Sequence, residues 1–125
     1  MKVLSKEQVI NLHRTLIDKT GGLEGLRDDS LLESALSSPF HTFDGEELYP
    51  GTAAKIAKIA YSLISNHPFI DGNKRIGVYV MLVLLDLNHI AVDFSDEDVI
   101  KIGMDMASGI INDKHLLDFI IEHSD

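Results

Sequence analysis

The sequence predicts an all-α fold: a bundle of six helices with one short β-hairpin flap. Three observations point there. Apolar residues recur at three- and four-residue spacing through most of the chain. Ser, Asp and Asn stand where helix caps belong. The helical period lapses over Phe40 to Pro50, around the turn pair Asp44-Gly45.

The first helix starts at Ser5, whose hydroxyl can accept an amide three residues on while Gln8 returns the bond as a capping box. Val9, Leu12, Leu16 and Ile17 share one face, and Gly21-Gly22 ends the helix by taking backbone angles other residues avoid. A second helix begins near Asp28 or Asp29, carries Leu31, Leu32, Ala35 and Leu36, and is expected to stop at Pro39. Asp44-Gly45, flanked by Thr42-Phe43 and by Leu48-Tyr49, is a hairpin turn signal. A third helix runs from about Thr52 to Ser65 on Ala53, Ile56, Ala57, Ala60, Leu63 and Ile64. After a loop from Asn66 to Asp71, the most apolar helix starts at Gly72 or Asn73. Ser95 with Asp98 caps a fifth helix, and Asn112 or Asp113 caps a sixth that reaches about His123.

The 125 residues fit one domain, at 45% apolar and 25% charged. With no cysteine, disulfides and thiolate metal sites are excluded. The apolar run from Ile76 to Leu87 carries Asp86 and is shorter than the about 18 residues a bilayer span needs. No apolar signal segment opens the chain, so a soluble, cytoplasmic protein without membrane contact is expected. The net charge of −9 lacks the basic face that phosphate neutralisation demands of a duplex binder, so direct nucleic-acid binding is not expected. An anionic ligand then requires a local cationic site. Lys74-Arg75 is the one pair of adjacent cations in the chain.

That pair closes the stretch Asn66-His67-Pro68-Phe69-Ile70-Asp71-Gly72-Asn73-Lys74-Arg75. A polar, glycine-containing loop that opens a buried helix is a natural anion site, because free amides and the helix dipole face the loop. Cations in the first helical turn are mildly unfavourable unless an anion sits there. Histidine is the usual general base near neutral pH. A carboxylate beside phosphates is the usual way to hold magnesium. Base, metal carboxylate, amide nest and two cations together suit phosphoryl or nucleotidyl transfer. No Walker loop is present, since no Ser or Thr follows Lys74.

The stretch resembles the Fic/Doc signature, His-x-Phe-x-Asp/Glu-Gly-Asn-x-Arg, through His67, Phe69, Asp71, Gly72, Asn73 and Arg75. Gly21-Gly22-Leu23, Arg27-Asp28, Leu31-Leu32-Glu33 and Leu48-Tyr49-Pro50 look like the death-on-curing (Doc) toxin branch of type II toxin-antitoxin systems, and the resemblance covers roughly residues 3 to 122. It implies His67 as general base, Asp71 as the Mg2+ ligand, and Gly72, Asn73, Lys74 and Arg75 as the phosphate-holding residues of an ATP site. It also implies that Phe69 anchors the loop and that Phe40 to Tyr49 is a flap that pairs with the acceptor's backbone, with Arg27, Phe43 and Tyr49 placed by position alone at the acceptor groove.

Adenylyl-transferring members have a second glycine where this chain has Lys74 and another arginine where it has Val78. Lys74 and Val78 look instead like the Doc toxins, which implies γ-phosphoryl transfer to a threonine of elongation factor Tu and arrest of translation. The implied partner is a Phd-like antitoxin whose disordered tail folds onto the toxin. Attachment of AMP or another nucleotide to a protein hydroxyl, or a non-catalytic binding module on the same fold, remain the alternatives.

Taken singly, the same residues have plain explanations. His67 alone is a surface or capping histidine, Asp71-Gly72 a turn, and Lys74-Arg75 a solvated helix start. His13, His41, His89, His115 and His123 are scattered and read as structural or surface residues, with His41 inside the flap. Thr20-Gly21-Gly22-Leu23-Glu24-Gly25 matches the Ser/Thr-x-x-x-Glu-Gly/Asn string of self-inhibited Fic proteins, but two glycines argue against the helix that string requires.

Overall fold

The computed structural model of the protein describes residues 1–124. Among them six α-helices follow in order: α1 (Lys6–Thr20), α2 (Asp29–Ser37), α3 (Thr52–Asn66), α4 (Asn73–Leu87), α5 (Asp96–Ala107) and α6 (Asp113–His123). A 3-10 turn (Ser38–Phe40) and a two-stranded hairpin, β1 (Thr42–Phe43) with β2 (Glu46–Glu47), connect α2 to α3. No helix among the described residues is long and apolar enough to cross a membrane.

The predicted caps form. Ser5 and Gln8 close a capping box on α1, Asp28 accepts the Leu31 amide at the start of α2, and Asn112 accepts the Lys114 and His115 amides on α6. Pro39 does not stop α2 directly. The chain first tightens into the 3-10 turn, where proline's missing N–H has no bond to lose, and α2 has already ended at Ser37.

The centre of the bundle is α3, which packs against α2, α4, α5 and α6. Ala57 and Ala60 keep its surface thin, and Ile56, Leu63 and Ile64 fill the space between helices. Its crossing with α4 is close: a Cβ on Gly77 would come 2.5 Å from Ile64 Cγ1 and 3.1 Å from the Ala60 carbonyl. Met81, Leu84 and Leu85 of α4 and Leu116 and Ile120 of α6 complete the core. The loop from His67 to Gly72 therefore hangs between two rigid, buried helices.

The hairpin turns on Asp44 and Gly45, both left-handed at φ 54 and 79, the pattern of a tight two-residue connection. Thr42 pairs with Glu47 and Phe43 with Glu46, so the second strand is Glu46–Glu47, which follows the two-residue turn directly, and not the expected Leu48-Tyr49. Its base is held by Lys55 of α3, only 8% exposed, whose Nζ donates to Glu47 Oε1 (2.8 Å) and to the Tyr49 carbonyl (2.6 Å). A buried ammonium with an ionic and a neutral acceptor is satisfied, so Lys55 ties the hairpin to the core.

Candidate functional site

The loop after α3 begins with a reversal. His67 is left-handed (φ 52, ψ 56) and turns the chain out of the helix. Its Nδ1 lies 3.0 Å from the Ser65 carbonyl. An imidazole nitrogen facing a carbonyl bonds only as a donor, so neutral His67 carries its proton on Nδ1 and keeps Nε2 as a free acceptor. The exposed His67 thus has the tautomer a proton-accepting base needs.

The next residues lock the loop down. Phe69 is 1% exposed, and its ring stacks on His13 at 3.8 Å between centroids with planes 10° apart. Full burial of such a ring contributes about 1.5–3 kcal/mol. The Asn73 side chain holds the Phe69 backbone from both sides: Oδ1 accepts its N–H (2.9 Å) and Nδ2 donates to its carbonyl (3.0 Å). Asn73, expected among the phosphate-holding residues, therefore directs its side chain into the loop. What it faces toward an anion is its backbone N–H at the first position of α4.

Asp71 is anchored through its carbonyl and both carboxylate oxygens. Oδ2 accepts the Leu23 N–H (3.0 Å), Oδ1 accepts the Gly72 N–H (2.8 Å), and its carbonyl accepts from His13 Nε2 (2.7 Å). The Leu23 amide, then the Gly72 amide, hold the carboxyl below the usual carboxylate range, with smaller help from the charge of Arg75. Arg75 Nη2 lies 3.7 Å from Oδ1.

Gly72 caps α4 in the left-handed region (φ 74, ψ 22) and no side chain caps the helix, so the amides of its first turn stay open. Lys74 is exposed at this end. Arg75 is half-buried, and its Nη1 donates to Thr20 Oγ1 and to the Gly21 carbonyl, each at 2.7 Å.

Of the residues expected from the sequence, His67, Asp71, Gly72, Asn73, Lys74 and Arg75 line one polar cavity of about 410 Å³, joined by Ile70. The flap residues do not. Phe43 is 75% exposed on the hairpin, and Tyr49 packs at its base with Lys58 Nζ 5.2 Å over the ring. Lys74 and Arg75 also border a second, apolar groove of about 340 Å³ between α1, α4 and α5, walled by Leu16, Val78, Tyr79 and Ile100. Among the described residues, no group of three or more His, Cys, Asp or Glu could hold a metal by itself.

Three contributors were not visible from the motif. His13, read from the sequence as structural or surface, is 1% exposed and touches both Phe69 and Asp71. A signal existed: it falls on the Val9–Ile17 face of α1, where a polar residue must find a partner. Gly22 allows the connection between α1 and α2 to reach Asp71, since a Cβ there would stand 2.5 Å from Oδ2 and 3.0 Å from Arg75 Nη2. Arg27 donates to the carbonyls of His67 (2.7 Å) and Asn66 (2.9 Å). The Thr20–Gly25 string does meet the motif, but through Thr20, Gly21, Leu23 and Gly25; Glu24 pairs instead with Arg14 (2.7 Å).

A family model described as the Fic/DOC family matches residues 3–85. A Toxin Doc of Mycolicibacterium smegmatis (strain ATCC 700084 / mc(2)155) is 37% identical over 76 residues, which cover 59% of this chain and 58% of that toxin. The chain thus matches less than two thirds of that relative's length. With an all-helical bundle, a short hairpin and the motif at the junction of α3 and α4, the chain belongs to the Fic/DOC family.

Proposed function

We propose that residues 1–125 act as one Fic/Doc domain, a Doc-type toxin that transfers the γ-phosphate of ATP to a threonine of a translation factor resembling elongation factor Tu. The observation that carries this reading is the single polar cavity joining His67, Asp71, the open amides of α4, Lys74 and Arg75. The threonine oxygen bonds to the γ-phosphorus, the bond from that phosphorus to the bridging oxygen breaks, and ADP departs. His67 Nε2 takes the hydroxyl proton as general base.

Lys74, Arg75 and the first-turn amides of α4, including those of Asn73 and the segment turned by Gly72, are assigned to the phosphates. Asp71 is assigned to Mg2+. Its donor chemistry fits: the carboxylate stays ionised, each oxygen accepts one amide and retains acceptor capacity, and magnesium needs few protein ligands beside water and phosphate. Bound magnesium supplies neutralisation of phosphate charge.

Two contacts favour phosphoryl over nucleotidyl transfer. Val78 is buried against α5, where a Cβ on Gly103 would lie 3.2 Å from it, so no second arginine reaches the cavity from that position. A Cβ on the same glycine would lie 3.3 Å from Lys74 Cγ, and Lys74 occupies the place of the second glycine of adenylyl-transferring members. Phe43 and Tyr49 are assigned to a flap for the acceptor, whose exposed hairpin edge suits strand addition.

The relative named Toxin Doc supports a toxin with an antitoxin partner. We take that partner to be a Phd-like protein with a tail that folds on binding, and the apolar groove beside Arg75 offers such a tail area to bury. Action in the cytoplasm follows from the substrates.

The test is label transfer to elongation factor Tu from ATP labelled separately at the α- and γ-phosphate, with magnesium and with His67→Ala as control. Label from the γ-position alone, lost in the variant, is expected. Label from the α-position would make the chain an adenylyltransferase and overturn the assignment of Lys74.

A further inference from the structure

We infer that Arg27 is a positioning residue for His67, an inference that rests on the proposed role of His67 as base. The carbonyls that end a helix lack intrahelical partners, and α3 ends at the motif. Arg27 takes two of them, with Nη2 on Asn66 at 2.9 Å and Nε on His67 at 2.7 Å. The amides of Arg27 and Asp28 take the next, the Pro68 carbonyl, at 2.8 and 3.0 Å. Leu26 forms an antiparallel bridge with Phe69, and the Ile70 N–H donates to the Gly25 carbonyl at 3.0 Å. Residues 25–28 are thus a short brace laid along the first half of the loop, bridged at Leu26 and bent at Arg27.

His67 needs such a brace. It is a non-glycine residue in the left-handed region, a conformation that costs of order 1 kcal/mol and persists when surroundings over-determine it. That backbone orients Cβ, and Cβ sets whether Nδ1 can reach the Ser65 carbonyl. Arg27 does not itself line the polar cavity, and its bond to His67 is made to the backbone carbonyl, so its influence runs through the backbone of His67. A planar guanidinium donates to two adjacent carbonyls at once, and a lysine ammonium on a flexible stem cannot reproduce that fork.

The experiment reads the imidazole rather than activity alone. Long-range proton–nitrogen NMR of the histidine side chains, with His67 assigned through His67→Ala, reports which ring nitrogen carries the proton. The expected wild-type signature is Nδ1–H. Arg27→Gln is expected to shift His67 to mixed tautomers and to lower kcat for label transfer by about 10²-fold with KM for ATP unchanged, the effect of a misplaced group. Arg27→Lys, which keeps one cationic donor, is expected to fall between the two.

A wild-type His67 protonated on Nε2, or an Arg27→Gln protein with wild-type His67 signals and only a lowered Tm, would show Arg27 to be a helix cap and overturn the inference. If Arg27→Gln does not fold, Arg27→Lys decides by the same signal. If the wild type transfers no label, the proposed function fails while the tautomer still decides the role of Arg27.

Discussion

The starts of α4 and α5 solve one problem in opposite ways. At α5, Ser95 Oγ accepts the Asp98 N–H and Asp98 Oδ2 accepts the Ser95 N–H, both at 3.0 Å, and Asp96, Glu97 and Asp98 crowd the first turn. Free amides and the positive end of the dipole are satisfied from within the helix. At α4, a left-handed glycine stands in the cap position, no side chain accepts an amide, and Lys74 and Arg75 place positive charge against the dipole. A helix start left open and made cationic suits an anion from outside. The missing cap is not sufficient alone: α3 also begins at a glycine, Gly51, without a side-chain cap. What sets α4 apart is that its open end shares a cavity with His67, Asp71 and two cations.

The sharpest break between the two ends is expected from His67→Ala, which should lower label transfer by about 10²–10⁴-fold. Its Tm should stay near wild type, because His67 is exposed. Thermal melts run beside the transfer assay check both halves; a large Tm loss would mean the imidazole serves the fold.

Next in size is Lys74→Ala. Removing a charged donor from phosphate should weaken ATP binding by about 1.5–3 kcal/mol, roughly tenfold to over a hundredfold. Calorimetric titration with ATP and magnesium measures it, and the loss should shrink at high salt. Unchanged affinity would remove Lys74 from the site.

Gly22→Ala tests the far side of the same end. Its φ of +120 and the 2.5 Å approach to Asp71 Oδ2 make any side chain strained, at about 1–3 kcal/mol. The expected sign is a lowered Tm together with a smaller stabilisation by ATP and magnesium, since the Leu23 amide then leaves the Asp71 carboxylate.

At α5, Ser95→Ala should cost about 1 kcal/mol in denaturant unfolding and leave label transfer untouched. Any effect on transfer would mean the two helix ends are coupled.

The smallest effect concerns acid. The Ser95 amide, then its hydroxyl, hold Asp98 below the usual carboxylate range, and Asp28 and Asp71 are lowered by bonds of the same kind. Lowered folded values mean that their contribution is fully present above the ordinary carboxylate range, about pH 4, and is lost as pH falls through each lowered value. Unfolding followed from pH 6 to pH 2 should lose part of that slope in Asp98→Asn. An identical slope would show that Asp98 has no share in it.

Local features were legible in the sequence because their causes are local. A capping box spans one turn, Asp44-Gly45 sets the hairpin by its own backbone angles, and the spacing of Val9, Leu12, Leu16 and Ile17 marks a helix face. The motif residues are close in sequence and so could scarcely fail to be close in space. Pro39 misled by two residues because proline ends a helix without dictating whether a 3-10 turn precedes the stop. Asn73 was legible only in part: an amide beside a glycine suits phosphate binding or loop locking equally, and the position of Phe69 commits its side chain to the loop.

The sequence by itself determined the six helices, the hairpin and the identity of the residues at the start of α4. Only the tertiary structure decided what holds them. Arg27 reaches His67 across 40 residues, Leu23 reaches Asp71 across 48, and His13 reaches the Asp71 carbonyl across 58. No propensity or spacing encodes such contacts. They arise because α1 packs on α4 and brings the connection between α1 and α2 over the loop, where each polar group of the motif must find a partner or remain open to a ligand.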